Sequence, residues 1–330
     1  EFDMARSLPS TWSESWDKPG GYSLNGGGSS AKPILQIDVP NGDLSTGPDK
    51  LEIEARAFAD IDGTTTEVAV IEIVLDIEEV EKLLSESEET KILAGGQTLI
   101  PTMKQRLASP STLIDISGID ELNFINDNGN SVTIGSTATH HEVSSSDIVM
   151  NKIPSLASLA EGIGDPHVRN MGTIGGSIAN NDPTADYPTA CLSLNAKIKT
   201  NNREINAEDI FIGLFETALE ENEIVVSVEF NIPKKSSYMK FPNPASRYAM
   251  AGVYVSVFDD AVNVAVTGAS ENGVFKWTEM EEALSSNLSL ENAKNIKLSS
   301  DGVMSDIHAD SAYRANLVDI MALRAVENLI

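Results

Sequence analysis

The stretch RNMGTIGGSIANNDPTADYP, residues 169–188, decides how this chain is read. Its Gly172, Gly175 and Gly176, together with Ser177 and Ala179, leave backbone N–H groups uncovered by bulky side chains, so the segment suits close approach of another group. A helical pattern, IPSLASLAEGI at 153–163, leads into it, and strand patterns AKIKT (196–200) and EIVVSVEFNI (223–232) follow.

Upstream lies a second glycine-rich stretch. The strand pattern KILAG (91–95) runs into the loop GGQTLI (95–100), Pro101 stands at a plausible first helical turn, and TMKQRLA (102–108) continues as helix. Before it, Asp76 is placed to cap a helix IEEVEKLLSES (77–87), whose Val80, Leu83 and Leu84 recur at helical spacing. Residues 112–139 alternate in short strands, TLIDI, LNFIND and SVTIGS, divided by Gly and Asn, which indicates a mixed α+β domain.

Further out, the patterns change. Strands RYAMAGVYVSVFD (247–259) and AVNVAVTGA (261–269) open a new unit that ends in mainly helical sequence, SAYRANLVDIMALRAVENLI, placing a boundary near residues 233–237. At the other end, LEIEARAFADI and EVAVIEIVLDI flank Asp62-Gly63 in a β-hairpin pattern. The first 50 residues, with PGGYSLNGGGSS at 19–30, are rich in Gly, Ser, Pro and Asp and read as an extension or linker. The expected organisation is therefore an N-terminal extension over 1–70, an α+β domain over 71–233 and a C-terminal α+β domain over 234–330.

Composition narrows the function. The chain has 330 residues, enough for two or three domains, and 41% of them are apolar. Asp and Glu number 50 against 23 Lys and Arg, a formal charge of -27, so the surface repels phosphate backbones and anionic lipid head groups. Nucleic acid and membrane surfaces are poor partners for such a chain, and the acid excess reads as a heavily solvated surface. The single cysteine, Cys191, lies in apolar ACLSL, so this chain alone builds no disulfide framework and no iron–sulfur cluster. Without a membrane-length apolar window or a secretory pattern at its start, the expectation is a cytoplasmic protein.

The two glycine segments carry the chemistry. A diphosphate brings two negative charges, which so acidic a chain must meet with oriented amides. Gly95 and Gly96 stand just before a helix start, where unpaired N–H groups and the helix dipole favour an anion. Gly172 to Ser177 could supply a second set, with the Thr173 and Ser177 hydroxyls as further donors. Neither has the form GxGxxG after a first strand, and no GxxxxGK[ST] occurs, so a Rossmann NAD site and a P-loop lack support. Taken singly, each loop could be only a tight turn.

Three blocks in order, AGGQTLIPTMKQRLA (94–108), RNMGTIGGSIANNDPTADYP (169–188) and DIHADSAYRANLVDIMALRAV (306–326), resemble the FAD-binding flavoprotein subunit of the carbon-monoxide dehydrogenase/xanthine dehydrogenase family of molybdenum hydroxylases. The resemblance covers about residues 77–330, and the segment before about residue 71 does not match. It implies an FAD fold of the vanillyl-alcohol-oxidase/PCMH type, with two α+β subdomains, followed by a separate C-terminal domain. It also implies site residues. Ala94, Gly95, Gly96, Gln97, Thr98 and Leu99 would bind the cofactor at its diphosphate, as would Thr173, Ile174, Gly175, Gly176 and Ser177. Asp186 would accept hydrogen bonds from ribityl or ribose hydroxyls. Lys240 and Tyr248, in YMKFPNPASRYAM, match positions near the isoalloxazine, although a solvated surface lysine and a core aromatic are the plainer readings of these two.

In such enzymes substrate is oxidised at a molybdenum cofactor on a large subunit, and electrons cross two [2Fe–2S] clusters on a small subunit before reaching the flavin. The resemblance therefore implies an electron-transferring subunit with FAD as cofactor, partnered by a [2Fe–2S] small subunit and a molybdopterin large subunit. Two rivals stay open: a stand-alone FAD-dependent oxidase or dehydrogenase of the same fold, and a flavin-less assembly or binding protein. His140-His141-Glu142 lacks the helical ligand spacing of a metal site, and His167 and His308 stand alone among polar residues, so no metal is expected.

Overall fold

The computed structural model describes residues 76–330 apart from Glu88, and before them the backbone of five strands. These are β1 (Phe2–Ser7), β2 (Ser13–Trp16), β3 (Leu35–Asp38), β4 (Leu51–Ala57) and β5 (Ala69–Ile73). The glycine-rich stretch at 19–30 and the Asp62-Gly63 turn lie outside the described residues. The chain divides into two compact units, Glu1–Asp120 and Glu121–Ile330.

The first unit continues with α1 (Ile77–Glu86), β6 (Thr90–Leu93), α2 (Leu99–Lys104) and β7 (Thr112–Asp115). Its sheet has the order β1-β4-β5-β7-β6. The two halves of the expected hairpin are β4 and β5, paired antiparallel with Leu51 opposite Ile73, while β5 and β6 each run parallel to β7. Three strands, β1 to β3, fall in the first 50 residues, read from the sequence as an extension or linker. Asp76 caps α1 as its position requires, its side chain accepting from Glu79 N at 2.8 Å, and Val80 and Leu83 are buried. A strand, a glycine loop and a short helix then succeed one another, which sets residues 94–98 at the carboxyl end of β6.

The second unit begins with β8 (Ile125–Asp127) and β9 (Ser131–Gly135) and then runs through six helices. These are α3 (His140–Ser145), α4 (Asp147–Lys152), α5 (Pro154–Glu161), α6 (Pro166–Arg169), α7 (Ile174–Asn180) and α8 (Tyr187–Ser193). There follow β10 (Lys197–Thr200), β11 (Glu204–Asn206), α9 (Ala207–Ile210), β12 (Phe211–Gly213), β13 (Glu216–Thr217) and β14 (Val225–Asn231). The chain closes with β15 (Lys235–Pro242), β16 (Ala249–Val257), β17 (Val262–Ser270), β18 (Gly273–Lys276), α10 (Thr278–Ser286), α11 (Leu290–Asn295) and α12 (Ser311–Glu327). One sheet has the order β11-β10-β14-β9-β8 and a second, fully antiparallel, runs β15-β16-β17-β18.

Two apolar cores follow from the side-chain pattern. One gathers Val132, Ile134, Leu156, Ile174, Ile178, Ile198, Val228 and Phe230, from β9, β10, β14 and the helices laid on them. The other joins Val253, Val255, Val264 and Val266 of the second sheet to Val318, Met321, Ala322 and Ala325 of α12. In β16 and β17 nearly every residue is buried, because helices cover one face and α8 packs on the other. The fold class is the expected α+β.

Candidate functional site

In the first unit, the chain leaves β6 at Leu93 and turns at Gly96, whose φ of +65° favours glycine. A Cβ there would lie 2.6 Å from the flexible tip of Ile100, Cδ1, so it is the positive φ that calls for glycine. Thr98 is the N-cap of α2 but its side chain caps nothing, and no acceptor among the described residues takes the N–H groups of Gly95, Gly96, Gln97 or Thr98. Gln97 and Thr98 are exposed and Ala94, Gly95, Gly96 and Leu99 half-buried. A run of unspent amides at a solvent-facing helix start is what the sequence led one to expect.

The second glycine segment is built differently. Ile174 N donates to Ala138 O at 3.1 Å, Gly175 N to Ser136 O at 2.9 Å, Gly176 N to Thr173 Oγ1 at 3.2 Å and Ser177 N to Thr173 O at 3.1 Å. Four of the five amides expected to face a ligand are thus spent within the unit, and only the Thr173 N–H has no acceptor among the described residues. The glycines serve packing instead. A Cβ on Gly175 would stand 2.5 Å from Ser136 Cβ, and one on Gly172 would stand 2.6 Å from His140 Nε2. Gly176 differs again: it is exposed, and its Cβ direction meets only Thr173 Oγ1, at 2.9 Å. What this segment turns outward is the bare face of Gly176 beside the half-buried Ser177.

Asp186 and Lys240, read as separate cofactor contacts, are brought together. Lys240 Nζ donates to Asp186 Oδ2 at 3.0 Å and to Gly162 O at 2.9 Å, and Tyr238 donates its hydroxyl to Asp186 Oδ1. The side chains of Lys240 and Asp186 are 9% and 4% exposed, so Lys240 is no solvated surface lysine. Burial drives the Asp186 carboxyl above its usual range, and Lys240 and Tyr238 oppose that rise. The pair sits where two helix ends favour it: Gly162 is the C-cap of α5, and Asp186 immediately precedes α8. Since a carboxylate offers about four acceptor sites, two bonds leave room for hydroxyl donors from a ligand.

Tyr248 is 43% exposed and so is no core aromatic; burial and the neighbouring Asp182 and Asp186 charges raise its phenol pKa. The loop carrying Asp186 is stapled to the second sheet, with Thr267 Oγ1 donating to Ala185 O at 2.7 Å and Gly268 N to Pro183 O at 2.9 Å. His140 is buried with its ring centroid 5.4 Å from that of Tyr187. Glu142 forms a capping box with Thr139 at the start of α3, which gives its carboxylate a structural role. Among the described residues no cluster of His, Cys, Asp and Glu could hold a metal. Cys191 is buried and its thiol is pushed up by that burial, which leaves it unreactive.

Residues 68–235 match the family described as the FAD binding domain in molybdopterin dehydrogenase. The chain belongs to that family. It is 34% identical over 267 residues to the glyceraldehyde dehydrogenase medium chain of Sulfolobus acidocaldarius, covering 77% of this chain and 95% of that one. To the nicotine 6-hydroxylase medium subunit of Paenarthrobacter nicotinovorans it is 33% identical over 264 residues, covering 76% and 93%. Its fold is similar to that of a chain of the Cu,Mo-CO dehydrogenase crystal structure, with a TM-score of 0.69 and 29% identity, covering 78% of this chain and 96% of that one.

As a member of this family the chain is an FAD-binding oxidoreductase subunit of the carbon-monoxide dehydrogenase/xanthine dehydrogenase type, and its cofactor is FAD. Its observed features fit that group: unspent amides at 95–98, an open glycine face at 176, and a buried carboxylate with acceptor capacity to spare. Sequence reasoning missed Tyr238 and Gly252. The local signal was Gly252 inside the largely apolar strand β16, since a glycine in a strand interior often marks a close approach. Among the described residues no helix is long and apolar enough to cross a membrane.

Proposed function

We propose that this chain is the electron-transferring flavoprotein subunit of a three-part hydroxylase, accepting electrons from the [2Fe–2S] clusters of a small subunit whose molybdopterin-bearing large partner oxidises the substrate. The membership in the molybdopterin-dehydrogenase FAD family carries this reading, together with a cysteine count of one, which leaves cluster ligation to another chain. FAD supplies the capacity to take up and release electrons one or two at a time.

The protein's own residues bind and orient. In this reading Ala94, Gly95, Gly96, Gln97, Thr98 and Leu99 hold the diphosphate, the free amides of 95–98 donating to it, and Thr173, Gly176 and Ser177 meet it through the open glycine face, the Thr173 N–H and the Ser177 hydroxyl, while Ile174 and Gly175 are buried and only build the turn behind them. Asp186 accepts from ribityl or ribose hydroxyls. Lys240 acts through Asp186, keeping the carboxylate ionised and in place, and Tyr248 offers an exposed ring to the isoalloxazine.

The test is reconstitution of the full chain with FAD followed by a visible spectrum. Flavin bands that bleach on addition of a reduced [2Fe–2S] partner, and not with small-molecule substrates alone, are the expected result. Bleaching by a small organic substrate without any partner would overturn the electron-transfer assignment in favour of a stand-alone enzyme.

A further inference from the structure

On β15, Tyr238 and Lys240 stand two residues apart and project from the same face toward Asp186. Lys240 takes Oδ2, and the Tyr238 hydroxyl takes Oδ1. The phenol is held at its hydroxyl and on a ring face. Its ring stacks on Tyr254 with centroids 5.7 Å apart and planes at 30°. Tyr254 is fixed in turn by a hydroxyl contact of 2.5 Å to Ser155, which lies 2.6 Å from Ser236.

Gly252, opposite Lys240 in the β15–β16 register, makes the arrangement possible. A Cβ on Gly252 would lie 2.5 Å from the Tyr238 hydroxyl oxygen and 3.2 Å from its Cε2. Glycine in a strand interior carries an entropic cost and offers nothing to pack, so its presence beneath a phenol marks room kept for that phenol.

We propose that Tyr238 is a positioning residue for the cofactor: seated over Gly252, it orients the Asp186 carboxylate so that its remaining lone pairs face the FAD hydroxyls. This inference rests on the reading of Asp186 as an FAD contact and deepens it. The groups that face Asp186 are Lys240 and Tyr238 from β15, Tyr187 from its own helix, Asp182 from the preceding loop and Tyr248. Of these, Lys240 alone supplies positive charge, and Tyr238 is the neutral donor that favours the ionised carboxylate. Removing the hydroxyl leaves Lys240 as the one donor to a carboxyl already raised by burial, so protonation sets in at higher pH.

The experiment measures FAD dissociation from the full chain between pH 5 and 9 for the wild type, Tyr238→Phe, Asp186→Asn and, as a control within the same hydrogen-bonded network, Ser155→Ala. Tyr238→Phe is expected to weaken FAD retention roughly tenfold at neutral pH, the loss of one hydrogen bond to a charged group. Its acid limb should also move to higher pH, a shift that a merely structural role would not produce. Ser155→Ala should leave the FAD pH profile where it is. If Asp186→Asn binds FAD as the wild type does, the reading of Asp186 itself fails. If Asp186→Asn is impaired while Tyr238→Phe shows the wild-type profile, only the positioning role fails. Failure of Tyr238→Phe to fold by circular dichroism, with its ring retained, would assign the hydroxyl to folding and overturn the proposal.

Discussion

Lys240 Nζ lies 3.0 Å from Asp186 Oδ2 and 2.9 Å from Gly162 O, so one buried ammonium ties the C-terminal end of α5 to the N-terminal end of α8. Two helix ends and one strand meet at this point. Lys240→Met keeps most of the side-chain volume but leaves the Asp186 carboxylate buried without its counter-charge. Breaking such a pair by removing one partner costs roughly 3–5 kcal/mol. Urea denaturation of the full chain should show that loss, and a variant as stable as the wild type would show the pair to be energetically idle.

Gly176→Asp should separate binding from folding. Gly176 is exposed, and a side chain there meets only Thr173 Oγ1, so the variant should fold with a stability change of no more than about 1 kcal/mol. It adds a negative charge on the open glycine face, where the cofactor's phosphates are proposed to lie, and flavin content should fall to near zero. Absorbance of the purified protein near the flavin bands checks this. Gly175→Ala is the contrast, because its Cβ would press to 2.5 Å from Ser136 Cβ and the damage should appear in stability.

His140 should make the protein acid-sensitive in a defined window. Burial, with a smaller push from the Arg169 charge, lowers its pKa from 6.5 to about 4. The folded state therefore holds the neutral ring, and the unfolded chain binds the proton first as pH falls. Stability from this group is intact above about pH 6.5 and drains away as pH drops toward 4, by up to roughly 3 kcal/mol. His140→Gln should flatten that part of a stability-against-pH curve measured by chemical denaturation.

Glu223 works at lower pH. Its carboxylate accepts from Arg203 Nε and Nη2, both at 2.9 Å, from Thr200 Oγ1 at 2.6 Å and from Glu220 N at 3.0 Å. Hydrogen bonding from Arg203, followed by that from Thr200, outweighs burial and brings its pKa from 4.5 down to about 2. With the folded pKa below the unfolded one, its contribution is present above pH 4.5 and is lost between 4.5 and 2. Glu223→Ala strands these donors and should cost on the order of 3 kcal/mol at neutral pH, read as a lower denaturation midpoint.

Much of this molecule was legible in its residue order. Asp76 ahead of an amphipathic run, glycines ahead of a proline-containing helix, alternation in β9 and β14, and a lone apolar cysteine each depend on neighbours within a few positions, so local chemistry alone settles them. The same reasoning singles out both glycine segments, whereas Asp186 is indicated only by the family resemblance.

Tertiary structure decided what those segments do. The amides at 174–177 are spent on Ala138, Ser136 and Thr173, leaving an open glycine face where a row of free donors was expected. Asp186 and Lys240, 54 positions apart, become one ion pair, and Tyr238 reaches the same carboxylate because Gly252 on the adjacent strand leaves it room. Such partnerships depend on strand register and on which helix ends converge, and these arise only when the sheets and helices pack; no window of neighbouring residues encodes them.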